Sequence, residues 1–289
     1  MPILATLKEA ILKGAEVLVL GIAPSGGKIP ESWNPVIEEA LDNGLSIVNG
    51  LHDVLNERWS QHIKNPLKQW IWDVRIPLFT PEIATGKASQ LQNKRVLFIG
   101  TDMAVGKMTA GLELYSWLLE HKKKVGFVAT GQIGITIVGK GIPLDAFKVD
   151  HACGAVEQVV LDQADKDIIL IEGQGSLLHP GSTATLPLMR GSCPTHLILC
   201  LRAEIKTLRS PEHIKIPDLN DFIALNESLA SVFGTFPRSR VIGIAANTSM
   251  LSEKDAKAYL SKTSKDTGLV TTDPIRYGIA PIGEQILMS

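Results

Sequence analysis

The spacing of apolar and polar positions changes along the chain in a way that separates strands from helices. Val17-Leu18-Val19-Leu20-Gly21-Ile22-Ala23 is an unbroken apolar run, the pattern of a strand covered on both faces. The cluster Pro24-Ser25-Gly26-Gly27 then ends it in a turn. Beyond Trp33, Val36, Ile37, Ala40 and Leu41 recur at helical spacing. Asn43-Gly44 stops that helix, and Leu45-Ser46-Ile47-Val48 reads as the next strand. From Arg75 to Lys94 the periodicity is lost: Pro77, Pro81 and Gly86 interrupt the chain, and residues 87–94 are polar. It resumes at Arg95-Val96-Leu97-Phe98-Ile99, with further strands expected over 125–129, 168–171, 196–201 and 241–246. Helices are expected over 107–120, 219–232 and 253–265. Alternation of this kind predicts an α/β fold with a mostly parallel sheet and right-handed crossovers. The chain divides into a small α/β domain over residues 1–75, a linker over 76–94 and a larger α/β domain over 95–289.

Composition narrows the function classes. Lys plus Arg is 29 and Asp plus Glu is 30, so no polybasic surface is implied and neither nucleic acid nor an anionic membrane is expected as partner. Aromatic residues make up only 5%, and four of the five tryptophans (Trp33, Trp59, Trp70, Trp72) fall in the first quarter, which marks a small domain packed in its own style. Cys153, Cys193 and Cys200 form no C-x-x-C pair and read as buried free thiols. That favours a reducing compartment. The apolar run from Ile11 is interrupted by Lys13 and Glu16 and lacks a leader's basic start. A cytoplasmic, homo-oligomeric protein acting on a small molecule is the expectation.

The strongest chemical signal follows Ile99. Gly100-Thr101-Asp102-Met103-Ala104-Val105-Gly106-Lys107-Met108-Thr109 lies between an apolar strand and an amphipathic helix. Glycines let successive backbone N–H groups converge on a phosphate, the helix N-terminus adds partial positive charge, and Lys107 adds a full one. The pattern resembles a Walker A P-loop, with five residues in place of four between its glycines. Gly-Thr-Asp followed by Gly-Lys is similar to dethiobiotin synthetase and its amidoligase relatives. In those enzymes a Thr or Ser after the lysine binds Mg²⁺. Here Met108 stands there, and Thr109 comes one residue late, about 100° round the helix. The spelling supports an anion cradle more than γ-phosphate chemistry.

Other polar clusters sit where strands are expected to end, the ligand side of an open α/β sheet. Thr130-Gly131-Gln132-Ile133-Gly134 brings backbone and Gln132 near a ligand, followed by Gly139-Lys140-Gly141. Ile171-Glu172-Gly173-Gln174-Gly175-Ser176 delivers a carboxylate into a glycine turn. Glu172 suits a proton acceptor or metal ligand, with a helix cap or salt bridge as the ordinary alternative. His179, in His179-Pro180-Gly181, is the second candidate base, and a structural histidine is its alternative. Arg190 suits a carboxylate or phosphate, against simple surface pairing. Asn247 is placed to read a nucleotide base. Arg276, after Asp273-Pro274, is the preferred second anion ligand. In the first domain, His52 either faces the cleft or packs at a helix start. Asp73 and Arg75 either reach the site or pair with each other.

Taken together, Gly50-Leu51-His52, Asp73-Val74-Arg75, Gly100-Thr101-Asp102 through Gly106-Lys107-Met108-Thr109, Thr130-Gly131-Gln132, Glu172-Gly173-Gln174-Gly175-Ser176, His179-Pro180-Gly181 and Asp273-Pro274-Ile275-Arg276 resemble one family over nearly the full length. It is the P-loop family long catalogued as a domain of unknown function, with a Rossmann-like domain in front. Its characterised members are D-glutamate N-acetyltransferases. The resemblance implies a P-loop NTPase-like sheet behind a smaller Rossmann-like domain, and transfer of an acetyl group from acetyl-CoA to the amine of D-glutamate or a similar amino acid. On this reading the cradle Gly100, Thr101, Asp102, Val105, Gly106, Lys107, Met108 and Thr109, with Asn247, holds the phosphates and adenosine of coenzyme A. By chemical type and position, and not from the resemblance itself, Glu172 or His179 is expected to serve as base, backbone N–H groups of the Gly173–Ser176 turn to stabilise the oxyanion, and Arg75, Gln132, Gln174, Ser176, Arg190 and Arg276 to hold the acceptor. Two other classes stay open: an ATP- and Mg²⁺-dependent carboxylate-activating enzyme, and a nucleotide-binding regulator without turnover.

Overall fold

In a computed structural model, which describes residues 2–22, 24 and 26–289, the chain forms two parallel sheets with helices against them. Ala23 and Ser25 of the expected first strand and turn lie outside the described residues. After helix α1 (Leu7–Leu12), strands β1 (Val17–Leu20), β2 (Ser46–Asn49) and β3 (Ile71–Asp73) pair in that order. Helices α2 (Asn34–Asp42) and α3 (Leu55–Trp59) connect them. Ile37, Leu41, Ile47, Leu55 and Trp59 form this sheet's own core.

The first strand departs from expectation. It is an edge strand covered on one face only, with Val17 and Val19 40% and 51% exposed. Its apolar run does not distinguish a central strand from an edge.

The larger sheet contains β4 (Lys94–Gly100), β5 (Val125–Val128), β6 (Ile168–Ile171), β7 (His196–Arg202), β8 (Arg240–Asn247) and β9 (Thr271–Thr272). Their spatial order is β5-β6-β4-β7-β8-β9, with every neighbouring pair parallel. Successive residues of β4 alternate between two apolar layers. Leu97 and Ile99 face a core shared with α6 (Val149–Leu161), α7 (Thr185–Ser192), α8 (Leu219–Ser231) and α9 (Glu253–Thr267). Val96 and Phe98 face α4 (Lys107–Glu120) and α10 (Ala280–Met288). Both faces are thus covered, which is why these strands read as continuous apolar runs. Val48 and Val74 of the first domain join this second layer. Among the described residues no helix is long and apolar enough to cross a membrane.

The stretch read as a linker is strapped down. Thr85 donates its backbone N–H and its hydroxyl to Glu157 of α6, and His151 Nδ1 lies 2.8 Å from Pro81 O. Ala88 is fully buried. At the far end Arg95, with no exposed surface, donates to the carbonyls of Leu91, Asn93, Ser192 and Cys193. Those acceptors make burial of a guanidinium tolerable.

Candidate functional site

Every strand of the larger sheet ends at the same edge, and the expected clusters gather there. The cradle leaves the central strand β4 and enters α4. Gly106 caps that helix at φ +102°, a conformation that disfavours any side chain, and supplies no capping oxygen. Among the described residues no acceptor takes the N–H of Gly106, Lys107 or Met108, as expected of a helix start open to an anion. Lys107 folds back so that Nζ donates to Asp102 O at 2.8 Å. Burial lowers its pKa, against the opposing pull of Cys200, Asp102 and Glu172.

The floor is built from the neighbouring strand β6. Gly173 crosses directly under Phe98, and any Cβ there would overlap the Phe98 carbonyl oxygen. Glu172 Oε2 accepts the N–H groups of Thr130 (2.8 Å) and Gly131 (3.1 Å), and Thr130 Oγ1 donates to Glu172 O at 2.8 Å. The turn after β5 is therefore locked to the turn after β6. Burial raises the Glu172 pKa, while the hydrogen bonds from Thr130 and Gly131 and the charge of Lys107 pull it down. Its carboxylate stands behind the Gly131–Gly134 backbone and is not among the residues lining the cavities that border the cradle.

Three cavities border the cradle. One, of about 320 Å³, lies between Gly106, Thr109 and the ends of β8 and β9, with Asn247, Ser249 and Arg276 in its wall. Asp273 holds this wall by accepting from Thr248 Oγ1 at 2.6 Å and from the N–H groups of Ile275 and Arg276. Burial alone would raise the Asp273 pKa; these bonds outweigh it and hold it below the usual range. On the opposite side a cavity of about 510 Å³ is lined by Met103, Gln132, Asp145, Gln174 and Ser182. A third, of about 370 Å³, separates Thr101–Val105 from Arg202, at the end of β7, and from Arg209 in the loop that follows. That loop is tied to the cradle by Arg209 N donating to Asp102 Oδ2 at 2.8 Å.

The expected site residues thus fall into groups. Gly106, Thr109, Asn247 and Arg276 share one cavity, and Gln132 and Gln174 share another. Thr109, not Met108, reaches a cavity wall. Ser176 is buried beside the second cavity, with its hydroxyl accepting from Leu178 N. Arg276 therefore shares the cavity of Asn247, not that of Gln132 and Gln174.

Three expectations need correction. Arg190 sits in α7, before the N-terminal end of β7, where it donates to Leu229 O at 2.9 Å and stacks 5.3 Å over Phe236. It braces α7 against α8 and stands outside the site. His179 has both ring nitrogens in use: Nε2 meets Ser210 O at 2.6 Å and Nδ1 accepts from Gly181 N at 3.1 Å. That tautomer pins the loop after β7 and offers no lone pair to a substrate. The pairing of Asp73 with Arg75 does not form. Asp73 accepts from Asn49, Leu55 and Asn56, and Arg75 donates to Gly50 O at 2.7 Å and to Asp145. His52 is exposed and lies against Gly27, in the turn after β1.

Sequence reasoning missed Arg202, Arg209 and Asp145. The strand-end rule that found Asn247 would have found Arg202, the last residue of β7. Asp145 lies in a short 3-10 turn (Leu144–Ala146) that no periodicity announces.

A parallel sheet with a glycine-rich cradle on its central strand, preceded by a smaller Rossmann-like unit, defines a P-loop protein. More specifically, the chain belongs to the DUF1611 family. Residues 82–283 match its P-loop domain and residues 1–77 its Rossmann-like N-terminal domain, both described as domains of unknown function. A crystal structure of a DUF1611 family protein from Anabaena variabilis is 43% identical and superposes with a TM-score of 0.95, covering 100% of this chain and 84% of that one. A protein of Pseudoalteromonas named D-glutamate N-acetyltransferase is 37% identical over 95% of this chain and 82% of its own. One of the same name from Tritonibacter scottomollicae is 36% identical over 94% and 81%.

Proposed function

We propose that the protein is an N-acetyltransferase that moves an acetyl group from acetyl-CoA to the amine of D-glutamate or a similar amino acid. The observation that carries this reading is the position of the cradle: Val105 and Gly106 border the Asn247 cavity while Met103 of the same loop borders the Gln132 cavity. A donor whose pyrophosphate lies in the cradle can leave its adenosine against Asn247 and extend its pantetheine arm to the acceptor. The kinship with two enzymes named D-glutamate N-acetyltransferase supports the same assignment.

In this reading Lys107 and the free N–H groups of residues 106–108 hold the pyrophosphate, and Arg276 faces the ribose phosphate, a role that replaces its expected contact with the acceptor. Gln132 and Gln174 orient the acceptor. The ammonium loses a proton and the amine attacks the thioester carbonyl. The C–N bond forms, the C–S bond breaks, and coenzyme A leaves as the thiol, with one proton released overall. Among the described residues no acceptor takes the N–H of Gln174 or Gly175, so these amides are available for the oxyanion. Glu172 acts from behind, by fixing the Thr130–Gly134 turn and balancing Lys107.

One experiment separates the classes. The protein is incubated with acetyl-CoA and D-glutamate, and separately with Mg-ATP and D-glutamate, while thiol and ADP are followed. Thiol release that requires D-glutamate is the expected result. ADP release that requires the amino acid, or binding of nucleotide with neither product, overturns the proposal.

A further inference from the structure

The cavity against Gln132 and Gln174 is poor in charge for the acceptor assigned to it. Among the described residues its wall holds one ionisable side chain, Asp145, and no cation. An amino acid carries an ammonium and at least one carboxylate, and a carboxylate taken from water needs a cation or several donors in exchange. A candidate comes from the first domain. Arg75, two residues past the end of β3, reaches across the seam to Asp145 in the second domain. Its side chain is 13% exposed, against 51% for Asp145. Arg75 Nε donates to Gly50 O at 2.7 Å, which fixes the guanidinium plane. Gly50 in turn packs on Gln132, where a Cβ would stand 3.2 Å from Gln132 Cγ. Among the described residues nothing takes the Nη2 nitrogen of Arg75. Asp145 thus lines the cavity, and Arg75, a less exposed cation held by Gly50, is paired to it from outside the lining residues.

We propose that Arg75 and Asp145 together read the zwitterionic end of the acceptor. The α-carboxylate takes the place of Asp145 on the Arg75 guanidinium, and the released Asp145 accepts from the acceptor's amino group. The exchange keeps both Arg75 and Asp145 paired, because the α-carboxylate and the amino group supply both partners at once. A planar guanidinium suits a carboxylate bidentately, so one of its edges already being held by Gly50 adds orientation. On this account the Rossmann-like domain supplies the anchor for the acceptor, and the site is incomplete without it. The inference rests on the acyltransferase reading and names the acceptor subsite within it.

The test uses the full-length protein, acetyl-CoA and two acceptors: D-glutamate and 4-aminobutanoate, which keeps an amine and a carboxylate but lacks the α-carboxylate. Arg75→Ala and Asp145→Asn are each expected to raise KM for D-glutamate roughly 10- to 100-fold, the loss of one charge-assisted hydrogen-bonded contact. KM for acetyl-CoA should stay within about twofold. The Arg75→Ala penalty should vanish with 4-aminobutanoate while the Asp145→Asn penalty persists. An unchanged KM for D-glutamate, or an Arg75→Ala penalty equal on both acceptors, overturns the proposal. Should Arg75→Ala fail to fold, Arg75→Lys keeps the charge without the planar fork and should give an intermediate KM for D-glutamate; a wild-type value overturns the proposal. If the wild type releases no thiol, the acyltransferase reading fails by itself, and calorimetric titration with D-glutamate decides the pair. Weaker binding by Asp145→Asn then supports it; equal binding, or none by the wild type, overturns it.

Discussion

Lys107 is a buried lysine at the start of a helix whose first N–H groups find no acceptor among the described residues. Burial lowers its pKa, so it loses its proton at a lower pH than an exposed lysine would. A phosphate in the cradle favours the charged form and repays that desolvation. Two outcomes follow at this scale. Lys107→Ala should weaken acetyl-CoA binding on the order of 100-fold in a calorimetric titration, as expected for a buried charge-assisted contact. Binding to the wild type should also decline as pH rises toward the ordinary lysine range, and the alanine variant should lack that alkaline limb. An equal affinity, or the same limb in both proteins, would count against a phosphate role. Lys107, Asn247, Gln132 and Gln174 were legible because residue type and strand-end position pointed the same way. Arg190 and His179 were not, since only the packing shows that Phe236, Leu229 and Ser210 already occupy them.

At the level of elements, β4, β6 and α4 are legible in full, because both faces of the strands and one stripe of the helix are apolar. The structure adds elements whose sequences argue against them. Helix α5 (Gln132–Val138) carries Ile133, Ile135, Thr136, Ile137 and Val138, a β-branched run that reads as strand and becomes helical only after the Gly131 turn. Helix α6 contains Gly154, a poor helix former, because the strap over it passes so close that a Cβ would overlap the Glu82 carbonyl oxygen. Gly154→Ala should therefore cost roughly 1–3 kcal/mol through overpacking, even though alanine favours helices. Limited proteolysis should then cut the variant between residues 76 and 93 at a protease concentration that spares the wild type. Equal resistance and an equal unfolding midpoint would show that the strap tolerates displacement. Strands β3 and β9, of three and two residues, are too short for any period to reveal.

For the molecule as a whole, the acid side of stability has an identifiable contributor. His196 opens β7, and burial, with Lys94 and Arg95 close by, lowers its pKa from 6.5 to about 4. Between those values the unfolded chain takes up a proton that the folded one refuses, so stability falls as pH drops from about 6.5 toward 4. His196→Gln should flatten this part of the melting-temperature profile between pH 7 and pH 4.5. A profile as steep as the wild type's would place the acid sensitivity elsewhere.

The ion pair across the seam has a consequence for how recognition is shared between the domains. If the donor is gripped by the larger domain alone, while the acceptor is held by Arg75 of the smaller domain together with Asp145, Gln132 and Gln174 of the larger, only acceptor recognition is divided between the two stretches of chain. A graft that replaces residues 1–75 by a stretch without the arginine should then raise KM for the acceptor amino acid while KM for the acyl donor stays as it was. The seam between the domains, and not either domain by itself, then sets how tightly the acceptor is held.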